Sequence, residues 1–364
     1  MKICVVTPLY AIAGVPLAQL RFARALADKG HQVDLLIGWV GPQYQVPAVP
    51  GVHVRVLNCE KVRSMFFPLC RYLRAERPDV VFSAEDHLNA IVLLAAIAVR
   101  SKAKISGSSR VTPFDTYSST PFTKRWVLKQ SMRALSWRAD ALTCVSKDMV
   151  DQYRRVFKGP SHVDVYNIVD DKHSRARLAE PVDHAWLVHK DVPVVVAAGR
   201  LAPWKGFSDL IRAIAVVSER RTVRLLLLGD GPLRPELERL IGDLGLTQMV
   251  QLLGYVENPL KYFARADVFV LSSLVEGLPN VLVEAMMCGC TPVSTDCPTG
   301  PREVLQNGKY GYLVPVSDPL AMAAGIALAL DRPVPREVLA DGVKPFEEGA
   351  VLARHFEVLS LKSS

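Results

Sequence analysis

The sequence has no long apolar run. The longest, Leu88 to Val99, has twelve residues, whereas a helix needs about 20 apolar residues to cross a bilayer. We therefore expect a buried helix there and no membrane-spanning segment. The first ten residues, MKICVVTPLY, hold one lysine beside a short β-branched run. That pattern predicts a first strand and not a signal peptide.

Cysteine is sparse and unpatterned. The seven cysteines are odd in number and scattered, which indicates reduced thiols in a cytoplasmic protein. Cys288 and Cys290, followed by Cys297, have the residue type of a metal site, but no histidine or fourth cysteine lies nearby. We interpret the three as small buried apolar side chains.

Acidic residues are scarce in the first half of the chain. Residues 1–185 hold 26 Lys and Arg against 16 Asp and Glu, and the remainder holds 18 against 20, so the net charge of +8 comes from the first half. Such an excess indicates a polyanionic partner: nucleic acid, a phosphorylated ligand or an anionic membrane. Residues 120–140, TPFTKRWVLKQSMRALSWRAD, mix basic and aromatic side chains at helical spacing. This helix could lie on anionic lipid or pack on its own domain, and the sequence leaves both open.

Short apolar strands alternate with amphipathic helices along most of the chain. One set starts at KICVVTP and a second at VPVVVAAG. Strands that alternate with helices predict parallel layers, so we expect an α/β fold of two doubly wound domains, at residues 1–185 and 186–345, with the boundary in the polar stretch Asp170 to Asp191. Ligands of such sheets bind at the carboxyl ends of the strands. A cleft between the two domains is therefore the expected site.

Two cations follow the first strand of the second set. In GRLAPWKG, Arg200 and Lys205 leave the carboxyl end of a strand, where two fixed cations suit a diphosphate; a pair of solvated loop charges is the alternative. The next strand is followed by GDGPLRPEL, whose Gly229 and Gly231 resemble a dinucleotide-binding loop. The third glycine and the acidic residue about twenty positions on are missing. We therefore predict a tight turn there and no NAD.

Two glutamates flank a predicted helix start in SSLVEGLPNVLVEAMMCG. Pro279 suits the first helical position, so Glu276 lies on the preceding loop and Glu284 inside the helix. The N–H groups of the first helical residues (Asn280, Val281, Leu282) are expected to be free, which would make an anion site. If the ligand is a nucleotide sugar, the carboxylates can bind hydroxyl groups on either side of its phosphate. The alternative for Glu284 is an ordinary partner of the helix dipole.

Two further segments are expected at the same edge. STDCPTGPREVLQNG places Thr299, Gly300 and Arg302 after a strand, or on an ordinary surface turn. VVFSAEDHLNAIV places three polar side chains just past a strand of the first domain: Asp86, His87 and Asn89. A lone histidine is more often structural, but a position at a carboxyl end favours a role in the site.

These segments, in this order and spacing, resemble retaining glycosyltransferases of family 4, which have the GT-B fold. The resemblance is strong from Val192 to about Pro319 and weaker over the first half. SAEDHLNAIVLLAAIA and CPTGPREVL are most similar to the subgroup that builds polyprenyl-diphosphate-linked polysaccharide and oligosaccharide repeats, as in lipopolysaccharide or capsule, from UDP-sugars. In this fold the final helix often returns to the first domain, and residues 346–364 are expected to do so.

The resemblance implies roles for individual residues. Arg200 and Lys205 would neutralise the leaving diphosphate, Glu284 would hold the ribose and Glu276 the donor sugar. The remaining implied contacts are the amides after Pro279 with the phosphate (Asn280, Val281, Leu282), the backbone of Gly254, Tyr255 and Val256 with uracil, His87 with donor sugar or acceptor, and the loop at Gly14 with the donor phosphates and the acceptor.

The resemblance also implies a mechanism and partners. The anomeric configuration would be retained by same-face attack, with a donor phosphate oxygen taking the acceptor's proton and no covalent nucleophile. The sequence has no Asp-x-Asp, so an essential metal is not expected, and the UDP-sugar serves as donor substrate without a further cofactor. A lipid-linked or other glycan acceptor and the inner face of the cytoplasmic membrane are the expected partners, and nucleic acid is not.

The sequence departs from the family pattern at two places. The first loop, YAIAGVPLAQLR, keeps one glycine, Gly14, and adds Pro16, and the usual Asn-Pro between the domains is Asn167-Ile168. Two rival functions stay open: a same-fold enzyme acting on a soluble sugar, including a phosphorylase, and a non-catalytic basic binding protein. The donor sugar is expected to be a hexose or an N-acetylhexosamine.

Overall fold

The computed structural model describes residues 1–11, 14–157 and 161–361. The chain divides into two compact units: the first is Met1–Ile168 together with the segment from Glu348, and the second is Val169–Glu347. The polar stretch that we expected to hold the boundary therefore lies in the second unit, where it forms two short helices.

The first unit is built on a parallel sheet in the order β3-β2-β1-β4-β5-β6-β7. Its strands are β1 (Lys2–Tyr10), β2 (Gln32–Val40), β3 (Val52–Val56), β4 (Val80–Ala84), β5 (Lys104–Ser109), β6 (Ala141–Cys144) and β7 (Val163–Asp164). The helices between them are α1 (Gly14–Asp28), α2 (Phe66–Glu76), α3 (Asp86–Ala98), α4 (Pro113–Thr116), α5 (Lys124–Leu135) and α6 (Lys147–Val156).

The second unit repeats this plan with a parallel sheet in the order β10-β9-β8-β11-β12-β13. Its strands are β8 (Val194–Ala198), β9 (Arg224–Leu228), β10 (Val250–Gly254), β11 (Val268–Leu271), β12 (Thr291–Thr295) and β13 (Tyr312–Val314). Its helices are α7 (Lys172–Leu178), α8 (Ala185–Val188), α9 (Phe207–Ser218), α10 (Arg234–Asp243), α11 (Leu260–Phe263), α12 (Asn280–Met287), α13 (Pro301–Val304), α14 (Pro319–Asp331) and α15 (Arg336–Val343).

Each unit has its own apolar core around its sheet. Strands β4, β11 and β12 are buried along their whole length, because parallel strands are covered by helices on both faces. The last helix, α16 (Glu348–Val358), belongs to the first unit. Its Phe356 is buried in that core, and its His355 ring lies 4.8 Å from the ring of Phe22.

The order of strands reverses once in each sheet. In the first unit the chain winds outward from β1 in one direction and from β4 in the other, and in the second unit the same happens at β8 and β11. Such a reversal opens a crevice at the carboxyl ends of the two central strands, and doubly wound sheets bind their ligands there. Each sheet therefore favours a binding site at the loops that follow its two central strands, β1 and β4 in the first unit and β8 and β11 in the second.

Several predictions about apolar segments are confirmed. The run from Leu88 forms α3, with Leu88, Val92 and Leu93 buried. All seven cysteines are buried and unpaired. Within the described ranges, the helices are too short or too polar to cross a membrane.

Candidate functional site

An ion pair bridges the strand reversal of the second unit. Lys205 ends a short 3-10 turn after β8, and Glu276 lies in the loop after β11. Lys205 Nζ lies 2.5 Å from Glu276 Oε1, and the two side chains are only 18% and 12% exposed. Ser273 Oγ donates a second hydrogen bond, of 2.6 Å, to the same oxygen. The structure thus brings two of the predicted residues together and adds Ser273, which the sequence did not single out.

The backbones around this pair hold each other in place. Gly206 has φ 63°, and a Cβ on it would lie 2.1 Å from the carbonyl oxygen of Ser272. Ser272 Oγ donates to the carbonyl of Lys205 at 2.7 Å, and the Leu274 N–H donates to the carbonyl of Trp204 at 2.8 Å. Glycine at 206 is therefore required for the close approach of the two loops, and the approach sets the position of the ion pair.

The segment after β12 supports the loop that carries Glu276. Thr299 is 4% exposed, and its Oγ1 donates to the main-chain carbonyl of Glu276. Gly300 has φ 90°, and a Cβ there would lie 2.6 Å from Pro279 Cδ. Arg302 instead pairs with Asp296, its Nε 3.0 Å from Asp296 Oδ1. Thr299 therefore supports the loop through a hydrogen bond and Gly300 through close packing, while Arg302 is already neutralised by Asp296.

The start of α12 corrects the sequence interpretation. Pro279 precedes the helix as its cap residue, with ψ 82°, and is not the first helical residue. The Asn280 N–H donates to the Leu278 carbonyl and the Leu282 N–H donates to the Pro279 carbonyl, both at 2.9 Å. Two of the three amides that we expected to be free are thus already bonded within the chain. Glu284 lies one turn further on and is half-buried.

The loops after β8, β9 and β10 are tied to each other. A Cβ on Gly229 would lie 2.0 Å from the Gly199 carbonyl oxygen, and one on Gly231 would lie 2.5 Å from that of Leu201. The Gly229 N–H donates to the carbonyl of Gly254 at 2.7 Å. The prediction that the two glycines of GDGPLRPEL permit a tight turn is confirmed, since only a bare backbone fits there.

Two of the remaining predicted contacts are open to solvent. Arg200 is exposed in the segment after β8, and Tyr255 is 55% exposed after β10. Tyr255 and Val256 line a cavity of about 550 Å³ within the second unit. The other lining residues are Arg177, Glu180, Asp183, His184, Leu253, Glu257, Asn258, Lys261 and Tyr262. Because its charged side chains have both signs, this cavity has no net preference for an anion.

The corresponding edge of the first unit has one accessible histidine and two structural residues. His87 is in the first turn of α3, and its side chain is 46% exposed. Asp86 is buried, which raises its pKa, and its carboxylate accepts hydrogen bonds from Ser109 Oγ at 2.6 Å and Tyr153 OH at 2.5 Å. Asn89 is also buried and accepts a bond from Ser83 Oγ. The expectation that Asp86 and Asn89 face the site is wrong, because both hold the end of the sheet together.

A glutamate that the sequence analysis passed over lies beside His87. Glu85 directly follows β4, and its Oε2 is 3.2 Å from His87 Nε2. Burial raises the pKa of Glu85 to about 7, and burial lowers the pKa of His87. The signal available in the sequence was its position at the carboxyl end of a predicted strand.

Two further predictions for the first unit concern its first loop and the basic helix α5. Gly14 is the exposed first residue of α1, and Ile12 and Ala13 before it lie outside the described residues. Helix α5 packs one side on α3, with Met132 buried. Around it Phe122 is 89% and Trp137 69% exposed. Packing on the domain and an exposed basic, aromatic surface are therefore both present.

Comparison with known proteins follows the same division. Residues 192–332 match the family described as glycosyl transferases group 1, and residues 13–166 match the glycosyl transferase 4-like domain. An uncharacterised glycosyltransferase of Methanocaldococcus jannaschii is 30% identical over 277 residues, which is 70% of this chain and 67% of that protein.

A relative of known name and a solved structure are also similar. The N-acetylgalactosamine-N,N'-diacetylbacillosaminyl-diphospho-undecaprenol 4-alpha-N-acetylgalactosaminyltransferase of Campylobacter jejuni is 31% identical over 265 residues, 72% of this chain and 69% of that protein. The structure of HepE from Anabaena in complex with UDP superposes with a TM-score of 0.76 at 19% identity, covering 99% of this chain and 100% of that one.

Proposed function

The chain belongs to the group 1 glycosyl transferases and has the GT-B fold, and from that premise we propose that it moves a hexose or N-acetylhexosamine from a UDP-sugar to a glycan acceptor linked to polyprenyl diphosphate. The product would be an α-glycosidic bond formed with retention. The observation that supports this most directly is the Lys205–Glu276 pair at the strand reversal of the second unit. The names of the relatives favour polysaccharide or lipopolysaccharide assembly.

The ion pair suits a donor that carries both hydroxyls and a diphosphate. Lys205 and Glu276 now neutralise each other over 2.5 Å. On binding, the diphosphate would take the ammonium group of Lys205, together with the exposed guanidinium of Arg200, and the sugar hydroxyls would take the carboxylate of Glu276. Both charges are then satisfied by the ligand. Two cations held at the leaving group lower the barrier electrostatically, so we infer transfer without an essential metal, which activity in the presence of EDTA would test.

The rest of the donor would be held by the neighbouring strand ends. Glu284 would accept the ribose hydroxyls, and Gly254, Tyr255 and Val256 would read the uracil. The amides of Asn280, Val281 and Leu282 would face the phosphate, and those of Asn280 and Leu282 would first have to leave their carbonyl partners. In the first unit, His87 would contact sugar, and Gly14 opens the helix that follows the predicted phosphate loop.

The basic surface around α5 supports a place at the inner face of the cytoplasmic membrane. Lys and Arg side chains bind anionic lipid headgroups, and exposed aromatic side chains such as Phe122 and Trp137 bind the membrane–water interface. We expect flotation with phosphatidylglycerol vesicles and little with phosphatidylcholine. Trp137→Ser should weaken it, whereas Phe67→Ser in α2, where Phe67 is 77% exposed, should not. Equal loss in both variants would contradict this role of α5.

The central experiment is UDP release from a panel of UDP-sugars, with and without a bacterial membrane lipid extract. We expect release with one donor, dependent on the extract and lost in Glu284→Ala. Glu337→Ala is the matched control, because Glu337 is an exposed first-turn glutamate of α15 in the same unit. If Glu284→Ala loses no more activity than Glu337→Ala, Glu284 is only a helix-dipole partner.

The same assay separates the rival functions. Release that needs a soluble sugar and not the extract would identify a transferase with a soluble acceptor. No release and no UDP binding with any donor would leave a non-catalytic binding protein. A product with the donor's anomeric configuration, observed by NMR, would support retention.

A further inference from the structure

Glu85 has a backbone conformation that glutamate rarely adopts. Its φ is 78° and its ψ is 131°, which lies outside the left-handed helical region and close to conformations reserved for glycine. The main chain fixes it there: its N–H donates to Ser108, and its carbonyl accepts from Leu88 and Asn89. A non-glycine residue in such a place lowers stability, and residues of this kind concentrate at functional sites.

No local structural task explains the side chain. Glu85 precedes α3 as its cap residue, but its carboxylate makes no capping hydrogen bond. Glycine at this position would relieve the strain without losing a cap. The glutamate therefore has another use for its carboxylate.

The surroundings of this carboxylate are charged and partly dry. Its side chain is 28% exposed and faces His87 at 3.2 Å. The charges of Arg110, which directly follows β5, and of Asp86, at the start of α3, also act on it. Arg110 is largely buried, and burial lowers its pKa to about 10. Arg110 Nη1 donates to Asn167 Oδ1, but its buried Nε has no partner within the described part of the chain. A partly accessible carboxylate thus lies beside a buried cation with unused hydrogen-bonding capacity.

Glu85 and Glu276 follow corresponding strands of their two sheets. Glu85 follows β4, the strand that lies across the reversal from β1, and Glu276 follows β11, the strand across the reversal from β8. Both carboxylates therefore lie where a doubly wound sheet binds its ligand. The second unit holds the cations that suit an anionic donor, whereas a carboxylate such as Glu85 repels phosphate and accepts hydrogen bonds from neutral hydroxyl groups.

We propose that Glu85 binds the acceptor: its ionised carboxylate accepts a hydrogen bond from the acceptor sugar hydroxyl that attacks the donor. This inference rests on the proposed function. Glu85 orients the hydroxyl and does not keep its proton. The acceptor oxygen bonds to the anomeric carbon as the bond to the diphosphate breaks, and the proton leaves with a phosphate oxygen of UDP. His87, 3.2 Å away, holds the carboxylate in position, and the positive charge of Arg110 favours its ionised form.

The test is the pH profile of Glu85→Gln. With a UDP-sugar and the membrane lipid extract as acceptor source, we expect wild-type kcat/KM for the extract to rise through about pH 7 and level off above it, as Glu85 ionises. In Glu85→Gln the profile should be flat and kcat/KM about 10- to 100-fold lower, because a hydrogen bond to a charged group is lost. The KM for the donor should stay within about twofold. Glu85→Asp should restore the pH dependence at a lower rate.

Glu76→Gln is the matched control. Glu76 ends α2 in the same unit and pairs with Lys2 and Arg55, so its variant should keep the wild-type profile. If Glu85→Gln also keeps that profile while wild type transfers sugar, the role of Glu85 is overturned and the proposed function stands. If wild type transfers no sugar from any donor, both are overturned. A cooperative urea unfolding transition of the first unit, which contains both residues, shows that the variants are folded.

Discussion

Each unit has a glutamate after the corresponding strand of its sheet, Glu85 directly after β4 and Glu276 in the loop after β11, and the two have opposite surroundings. In the second unit, Glu276 accepts from the ammonium group of Lys205 and the hydroxyl of Ser273. In the first unit, Glu85 faces His87, and burial raises its pKa to about 7. One carboxylate is paired with a fixed cation, and the other is partly desolvated and has no bonded cation among the described residues.

This difference matches what each unit is proposed to bind. When a nucleotide sugar binds, its phosphate can replace the glutamate as partner of the lysine, and its hydroxyl groups can replace the lysine as partners of the glutamate. No buried charge is then left unpaired. A carboxylate without a bonded cation offers a free acceptor to a neutral hydroxyl. The same sheet position thus serves an ionic ligand in one unit and a neutral one in the other, because the neighbouring loops supply different partners.

Breaking the ion pair should have the largest effect. Lys205→Ala and Glu276→Ala should each lower kcat/KM for the UDP-sugar by about 10²- to 10³-fold. The first removes the cation that binds the leaving diphosphate, and the second removes the carboxylate that binds the sugar hydroxyls. The double variant should lose far less than the product of the two, since the residues act together. Steady-state kinetics of the four proteins measures this coupling.

The control for this cycle lies at the opposite end of the same strands. Lys190 and Asp267 precede β8 and β11, and Lys190 Nζ is 2.6 Å from Asp267 Oδ1. Lys190→Ala removes a similar pair away from the carboxyl ends and should leave kcat/KM within about twofold. A loss as large as that of Lys205→Ala would show that the pairs matter for folding and not for the donor.

Gly206→Ala should displace the pair through the backbone. The added Cβ meets the Ser272 carbonyl at 2.1 Å, and φ is 63°, so we expect a loss of about 2–4 kcal/mol in the free energy of unfolding, with lower activity. Gly245→Ala is the control: φ is 68°, with no atom within 4 Å of the added Cβ, so only the backbone term of about 1 kcal/mol remains. Equal losses in urea unfolding would show that the contact with Ser272 is unimportant.

The sequence sufficed for the plan of the fold and for the placement of charged residues after the strands of the second unit. Alternating strands and helices are periodic patterns, and GRLAPWKG and VEGLPNVLVE mark strand ends with charges and turn residues. The partners of those charges could not be read in the same way. Lys205 and Glu276 are 71 positions apart, and their pairing depends on β8 and β11 being neighbours in the sheet.

The errors have a common physical cause. Whether an amide at a helix start is free depends on the dihedral angles before it, and ψ 82° at Pro279 turns the Asn280 N–H toward the Leu278 carbonyl. Whether Asp86 or Glu85 faces solvent depends on one unusual φ, which the sequence does not encode by a recognisable residue type. Asp86 was therefore selected and Glu85 was passed over.

The opposite pKa shifts of two glutamates should give opposite stability profiles. Burial raises the pKa of Glu85 from 4.5 to about 7, so the stability it provides is present below pH 4.5 and is lost as pH rises to 7. Hydrogen bonds from Lys2 and Arg55 lower the pKa of Glu76 to about 2, so its stability is present above pH 4.5 and is lost as pH falls to 2.

Urea midpoints of the first unit across this pH range measure the difference. Relative to wild type, Glu85→Gln should become more stable as pH rises from 4.5 to 7. Glu76→Gln should be less stable at neutral pH, with a deficit that shrinks toward pH 2. Both residues belong to the first unit, so they share its unfolding transition. Parallel profiles for the two variants would contradict the contrast between a desolvated and a paired carboxylate.

The smallest effect should come from the hydroxyl that completes the second-unit pair. Ser273 is 1% exposed and donates to Glu276 Oε1 at 2.6 Å, so Ser273→Ala should cost about 1 kcal/mol of unfolding free energy and raise the KM for the UDP-sugar several-fold. Ser218→Ala removes a hydroxyl that donates to Ala215 within α9 and should change neither. If the two variants behave alike, Lys205 alone positions Glu276. Glu276, in the loop after β11, would then need only the ammonium group of Lys205 from the loop after β8. The contrast with Glu85 would then be the presence or absence of one lysine.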